Sequence, residues 1–185
     1  MSFRSNLVKR MIELDQDFIS AICPKRTIDI SKIISDVRSY ESAIELQADK
    51  IISINSEYTG VPNVNADGAK SEVEMNRGFV KAKYTGMGIC LIKRRVLEDM
   101  VTRAVVEKRE NGPHPASPWP VPYYGFFHKR RASDGQFDSE DISFCKRWTQ
   151  DCGGIIWACV DENIGHHGPF KYSGAYIEKL KAGRI

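Results

Sequence analysis

A chain of 185 residues with 42% hydrophobic content has the size and apolar fraction of one globular domain, residues 1–185, and is too short for two ordinary ones. A net charge of +3 on a background of 28% charged residues gives no charge argument for a nucleic-acid or membrane partner. No apolar run nears the roughly 20 residues that cross a bilayer, and the first residues lack the hydrophobic core of a signal peptide, so a soluble, cytoplasmic protein is expected.

Ser5 is placed to cap a helix in which Leu7, Val8, Met11, Ile12 and Leu14 recur at helical spacing. Phe18 to Ile22 reads as a short buried strand that Cys23-Pro24-Lys25-Arg26 closes, because proline cannot extend a central ladder. Ile30, Ile33, Ile34 and Val37 predict an amphipathic helix, which Ala43 to Lys50 continues after a break near Ser39. Ile51 to Ile54 reads as a strand, and Tyr58 to Arg77, without a sustained period, as a long loop. Phe79, Val80 and Tyr84 indicate a further strand, Thr85-Gly86-Met87-Gly88 a tight turn, and Ile89 to Ile92 a fully buried strand.

A helix is predicted over 94–108, with Val96, Leu97, Met100, Val101, Ala104 and Val105 on its apolar face. Five prolines between Gly112 and Pro122 exclude regular structure there, and Tyr123 to His128 reads as an aromatic strand. The polar segment 132–138 leads to a helix capped by Ser139 that stops at Cys152-Gly153-Gly154, followed by a buried strand over 155–160. Helix and strand alternating in this way are an α/β signature. The five cysteines, Cys23, Cys90, Cys145, Cys152 and Cys159, lie in or beside apolar stretches, so free, buried thiols are expected.

Two constellations carry candidate chemistry. Ser139-Glu140-Asp141 opens a helix on which positions 141, 145, 148 and 152 share one face, so Asp141 stands at the positive end of the buried stripe. Compensation of the helix dipole is one reading of these carboxylates, and a general base at a rigid helix start is the other. In Ile164-Gly165-His166-His167-Gly168-Pro169, glycines would let the backbone approach a ligand and a neutral imidazole could hold a divalent metal; an exposed histidine pair in a turn is the alternative. A different class of reading takes Cys145, Cys152, Cys159 and His166, each seven residues apart, as ligands of a zinc-stabilised binding module without catalytic activity. A nucleic-acid-binding protein finds no stacking motif or basic stripe to support it.

Taken in order, Thr85-Gly86-Met87-Gly88-Ile89-Cys90-Leu91-Ile92-Lys93-Arg94, then residues 139–148 (Ser-Glu-Asp-Ile-Ser-Phe-Cys-Lys-Arg-Trp), Gly153-Gly154-Ile155-Ile156-Trp157, and Gly165-His166-His167-Gly168 with Tyr172 and Gly174 resemble the C-terminal part of bacterial and phage GT-A glycosyltransferases of the family 2 type. The resemblance spans roughly residues 1 to 176. It implies an incomplete GT-A, nucleotide-diphospho-sugar transferase-like fold, a mixed sheet flanked by helices. It also implies transfer of a sugar from a nucleotide-diphosphate sugar to an acceptor hydroxyl on a glycan, lipid or protein, with inversion.

By the same resemblance Asp141 is the catalytic base, Glu140 orients the acceptor or tunes that base, and His166 is a ligand of Mn²⁺ or Mg²⁺. Gly86, Met87 and Gly88 border the substrates, and Trp119, Tyr123 and Tyr124 offer flat faces to sugar rings or, in the commoner role of aromatics, pack in the core. Phe3, the helix from Ser5, Cys23-Pro24-Lys25-Arg26 and Ile28-Asp29 match elements that follow an Asp-x-Asp strand in such enzymes. The Asp-x-Asp itself and the nucleotide-binding strands have no counterpart here, so a truncated, split or internally started coding region is expected, and the chain alone could be inactive.

Overall fold

The structure, a computed structural model, describes residues 1–39, 48–63, 73–110, 123–132 and 135–184. In chain order the elements are α1 (Asn6–Leu14), β1 (Phe18–Ala21), β2 (Pro24–Ile28), α2 (Ile30–Ser39), α3 (Ala48–Asn55), β3 (Ser56–Tyr58), β4 (Val61–Pro62), β5 (Met75–Asn76), β6 (Phe79–Tyr84), β7 (Cys90–Ile92), α4 (Arg94–Thr102), β8 (Lys108–Arg109) and β9 (Tyr123–Tyr124). There follow α5 (Glu140–Lys146), which runs into a π-helical turn (Arg147–Asp151), then β10 (Ile156–Cys159), β11 (Ile164–His167), β12 (Lys171–Gly174) and α6 (Tyr176–Lys181). The proline-rich segment with Trp119 and the stretch 40–47 lie outside the described residues.

The fold is α/β, with a mixed six-stranded sheet flanked by helices. Its strand order is β4-β6-β10-β1-β7, with β5 pairing to β6 as a hairpin. Among the described strands only β1 and β10 run parallel, in register from Phe18↔Ile156 to Ala21↔Cys159; β7 and β6 flank that pair antiparallel. Side chains alternate across the pleat. Phe18, Ile156 and Ala158 face α4 and α5, where Val96, Met100, Phe144, Cys145 and Trp148 complete one apolar cluster. Ile19, Ala21, Trp157 and Cys159 face the other way and meet Leu7 and Met11 of α1. Phe144 links strand and loop, edge-on to Phe18 and stacked on Phe127.

Several expectations need correction. Ser5 makes no side-chain cap and sits in the helical region, and α1 buries Leu7 and Met11 while Val8 and Ile12 face outward. Ile51–Ile54 is helix, not strand: α3 packs on α6 and β12, and its C-terminal carbonyls take bonds from Asn55 Nδ2 (to Ile51, 3.1 Å) and Ser56 Oγ (to Ile52, 2.7 Å). The β-branched run that read as a strand was overridden by that packing. The segment read as a long loop begins at the last residue of β3 and carries β4 and β5, the last joined to β6 by a two-residue turn in which Arg77 and Gly78 both have positive φ.

Strand β7 is an edge strand with Cys90 and Leu91 exposed, not a fully buried one, and Cys152 is only half-buried. Helix α4 ends six residues early: Ala104 turns left-handed at φ 55° and Val105 N–H returns to Met100 O (3.1 Å), which lets Val106 fold back into the core. The aromatic strand is two residues long, because Phe126 and Phe127 turn where His128 N–H bonds Gly125 O. The predicted cap of α5 is present, Ser139 Oγ accepting from Ile142 N–H (3.5 Å), and Gly153 (φ 73°) ends the π-helical turn.

Candidate functional site

Everything of interest gathers where β1 leaves the sheet. The buried hydroxyl of Ser20 lies 2.9 Å from Thr85 Oγ1 and, with a single proton to donate, has Ile89 O (3.1 Å) and Gly86 O (3.3 Å) within reach, while Ala21 N–H bonds Ile89 O (3.1 Å). The Cys145 thiol on α5 donates to Thr85 O (3.4 Å). The glycine-rich turn is thus clamped between β1 and α5. Gly86 is required by close approach: a Cβ there would stand 2.8 Å from the Cβ of Thr59, whose own backbone is tied to Cys23 (Thr59 N–H to Cys23 O, 2.9 Å).

Asp141, half-buried in the first turn of α5, points into this clamp and accepts the Met87 N–H at Oδ2 (3.1 Å). That bond engages one carboxylate oxygen, and Asp141 is itself among the residues lining a cleft of about 450 Å³, with Lys25, Tyr58, Thr59, Tyr84, Gly86 and Ile142. Glu140, one residue earlier, is solvent-exposed. Of the expected turn residues Gly86 lines the cleft, Met87 reaches it only through its N–H on Asp141, and Gly88 packs toward Met1 and Cys23.

The histidines stand on the adjoining hairpin β11–β12, which packs on β2. His166 Nδ1 lies 2.9 Å from Pro24 O. A carbonyl only accepts, so Nδ1 carries the hydrogen, and in the neutral ring Nε2 holds the lone pair, the arrangement that orients metal-binding imidazoles. His167 is exposed and bonds Ser2 Oγ through Nε2 (2.9 Å). The flanking glycines serve protein packing and not ligand approach: Ser2 and Lys171 crowd Gly165, where Ser2 also pairs its backbone (2.7 and 2.8 Å), and Arg26 lies against Gly168.

The segment Pro24–Lys25 lies between Asp141 and His166: Pro24 O holds the imidazole, and Lys25 lines the Asp141 cleft with its ammonium 3.3 Å from Glu57, while His166 itself is not a lining residue of that cleft. Tyr123 is not brought in: it lies on β9, paired to β8 and edge-on to His128. Tyr124 lines a separate groove against α4, and Trp119 lies outside the described residues. Tyr58 and Tyr84 take the aromatic positions in the cleft instead.

The four seven-spaced residues do not form a zinc site. Cys145 belongs to the cluster beneath α5 and Cys159 to the opposite face of the sheet. Among the described residues no group of three or more His, Cys, Asp or Glu side chains is placed to share a metal. A divalent cation at His166 would have Nε2 as one protein ligand and draw its remaining donors from a bound diphosphate, water or residues outside those described. No protein-family model, curated protein or solved structure matches the chain.

Proposed function

We propose that the chain is the acceptor and metal side of a GT-A-type glycosyltransferase domain, which transfers a sugar from a nucleotide-diphosphate donor to an acceptor hydroxyl with inversion. The observation that supports this reading is that adjacent residues of β2 reach a carboxylate at a helix start and a tautomer-fixed imidazole, Pro24 holding His166 and Lys25 lining the cleft of Asp141. In this reading the acceptor O–H donates to the free oxygen of Asp141. As the acceptor oxygen attacks the anomeric carbon, its proton passes to Asp141 and the bond from that carbon to the diphosphate breaks, releasing nucleoside diphosphate.

Met87 N–H holds the carboxylate in place through that step, and half-buried Tyr84 offers a face against which a sugar ring can pack. Glu140, solvent-exposed beside Asp141, would orient the acceptor or tune the base. His166 Nε2 would hold a Mn²⁺ or Mg²⁺ ion, which neutralises charge on the departing diphosphate. Donor-side residues, an Asp-x-Asp among them, belong in this proposal to polypeptide beyond these 185 residues.

The test measures nucleoside diphosphate released from nucleotide-diphosphate sugars with Mn²⁺, on this chain and on a longer polypeptide carrying a donor-side half. Asp141→Asn and His166→Ala should each lower turnover by about 100-fold or more. Unchanged turnover in both variants would remove the assignment.

A further inference from the structure

Hairpin β11–β12 has two faces, and His166 uses one of them. The pair His166↔Tyr172 shares the face on which His166 meets Pro24 of β2, while Gly165↔Ser173 and His167↔Lys171, one residue out of phase, point the other way. On that reverse face lies a cavity of about 410 Å³, walled by Ser2, Phe3 and Arg4 from the chain before α1 and by Asn163, Lys171 and Ser173 from the hairpin and its approach. Its size is that of a small-molecule site. Gly165 forms part of the same wall, and its missing side chain lets the two segments converge: a Cβ there would collide with Ser2 Oγ and stand 2.9 Å from Lys171 Cε.

The chemistry of the wall is one-sided. Among the described residues no carboxylate lines it. Arg4 gives Nε (2.8 Å) and Nη2 (3.1 Å) to buried Glu162, and Arg10 gives Nη2 to Asp161 (2.7 Å), so two guanidiniums and two carboxylates offset one another beside the cavity. Lys171 stands outside that balance. It is exposed and makes no hydrogen bond or ion pair among the described residues, and the same holds for the Ser173 hydroxyl and the Asn163 amide. Ser2 Oγ, 2.9 Å from His167 Nε2, adds a second hydroxyl.

We infer that this cavity binds a phosphoryl group. One uncompensated ammonium, the outer N–H groups of Arg4, two hydroxyls and an amide suit the three outer oxygens of a tetrahedral dianion, whereas a planar carboxylate with two oxygens would leave several of these donors unused. Free phosphate and a phosphate monoester share that chemistry. Phe3, 40% exposed in the same wall, gives the body of an ester an apolar face that inorganic phosphate cannot use. The inference does not depend on glycosyl transfer, because neither His166 nor any residue lining the Asp141 cleft borders this cavity.

Isothermal titration of the 185-residue protein in EDTA, with inorganic phosphate and with phenyl phosphate, tests it. Binding should be measurable without metal and weaken as salt screens the cations. Phenyl phosphate binding tighter by about threefold or more, with the difference lost in Phe3→Ala, would mark a monoester as the ligand; equal affinities would mark free phosphate. Lys171→Gln should lower both affinities by about tenfold or more, at the parent's melting temperature because that side chain is exposed and unpaired. Lys83→Gln removes an exposed cation of β6 that does not line the cavity and should bind as the parent does. No binding of either probe, unchanged affinity in Lys171→Gln, equal loss in Lys83→Gln, or binding that requires Mn²⁺ would each overturn the proposal. The last would assign the phosphate to the metal side, so this reading and the turnover assay fail separately.

Discussion

Burial pushes the thiols of Cys23, Cys145 and Cys159 up to about 12, far above an exposed cysteine. Each folded group therefore holds its proton more tightly than the unfolded chain does, and the stability this lends is complete below the unfolded value of about 8.5. It is lost as pH rises from there toward 12. The melting temperature should be insensitive to these groups below about pH 8 and fall steadily above pH 9. Alkylation under native conditions at pH 8 follows the same logic: Cys90 on the exposed edge strand should be modified first and the three buried thiols last. Peptide mapping that found Cys145 labelled as fast as Cys90 would contradict the packing under α5. At this scale the sequence revealed the groups with distinctive chemistry, because an acid at a helix start and a glycine-flanked histidine stand out by type. It did not reveal Lys25, Tyr58 and Tyr84, ordinary residues that become part of the cleft only because β2, β3 and β6 bring them there.

The hairpin β5–β6 turns on two residues with positive φ, Arg77 (51°) and Gly78 (84°). Gly78 has a second constraint, since a Cβ on it would collide with the Asp161 carboxylate and the Arg10 guanidinium, which bond one another at 2.7 Å. Gly78→Ala should destabilise the protein by about 1–3 kcal/mol, read as a lowered midpoint in urea; a midpoint equal to the parent's would show that the turn tolerates a side chain. Elements with a long, clean period were legible: α1, α4 and α5 from their 3.6-residue stripes, β1, β6 and β10 from short apolar runs bounded by glycine or proline. Elements set by neighbours were not. The run Ile51-Ile52-Ser53-Ile54 has the branched composition of a strand and becomes helix because α6 and β12 cover it, and β7 has a buried strand's composition yet lies at the sheet's edge.

The sheet as a whole is assembled out of sequence order. Its central pair joins β1, from the first 21 residues, to β10, which ends at Cys159, and the hairpin carrying His166 closes on Ser2 through two backbone bonds. Composition and alternation announced an α/β domain; the order β4-β6-β10-β1-β7 was beyond their reach, because nothing local records which distant strand a strand will meet. One consequence concerns synthesis. Until the ribosome has delivered residues 156–159, both β1 and β6 lack a shared neighbour, and the apolar faces of α1, α4 and α5 have no finished sheet to cover. A nascent chain arrested at residue 150 should therefore remain open to protease throughout, and resistance should arise abruptly, in the N-terminal helix as well as the C-terminal hairpin, once the last fifth of the polypeptide has emerged.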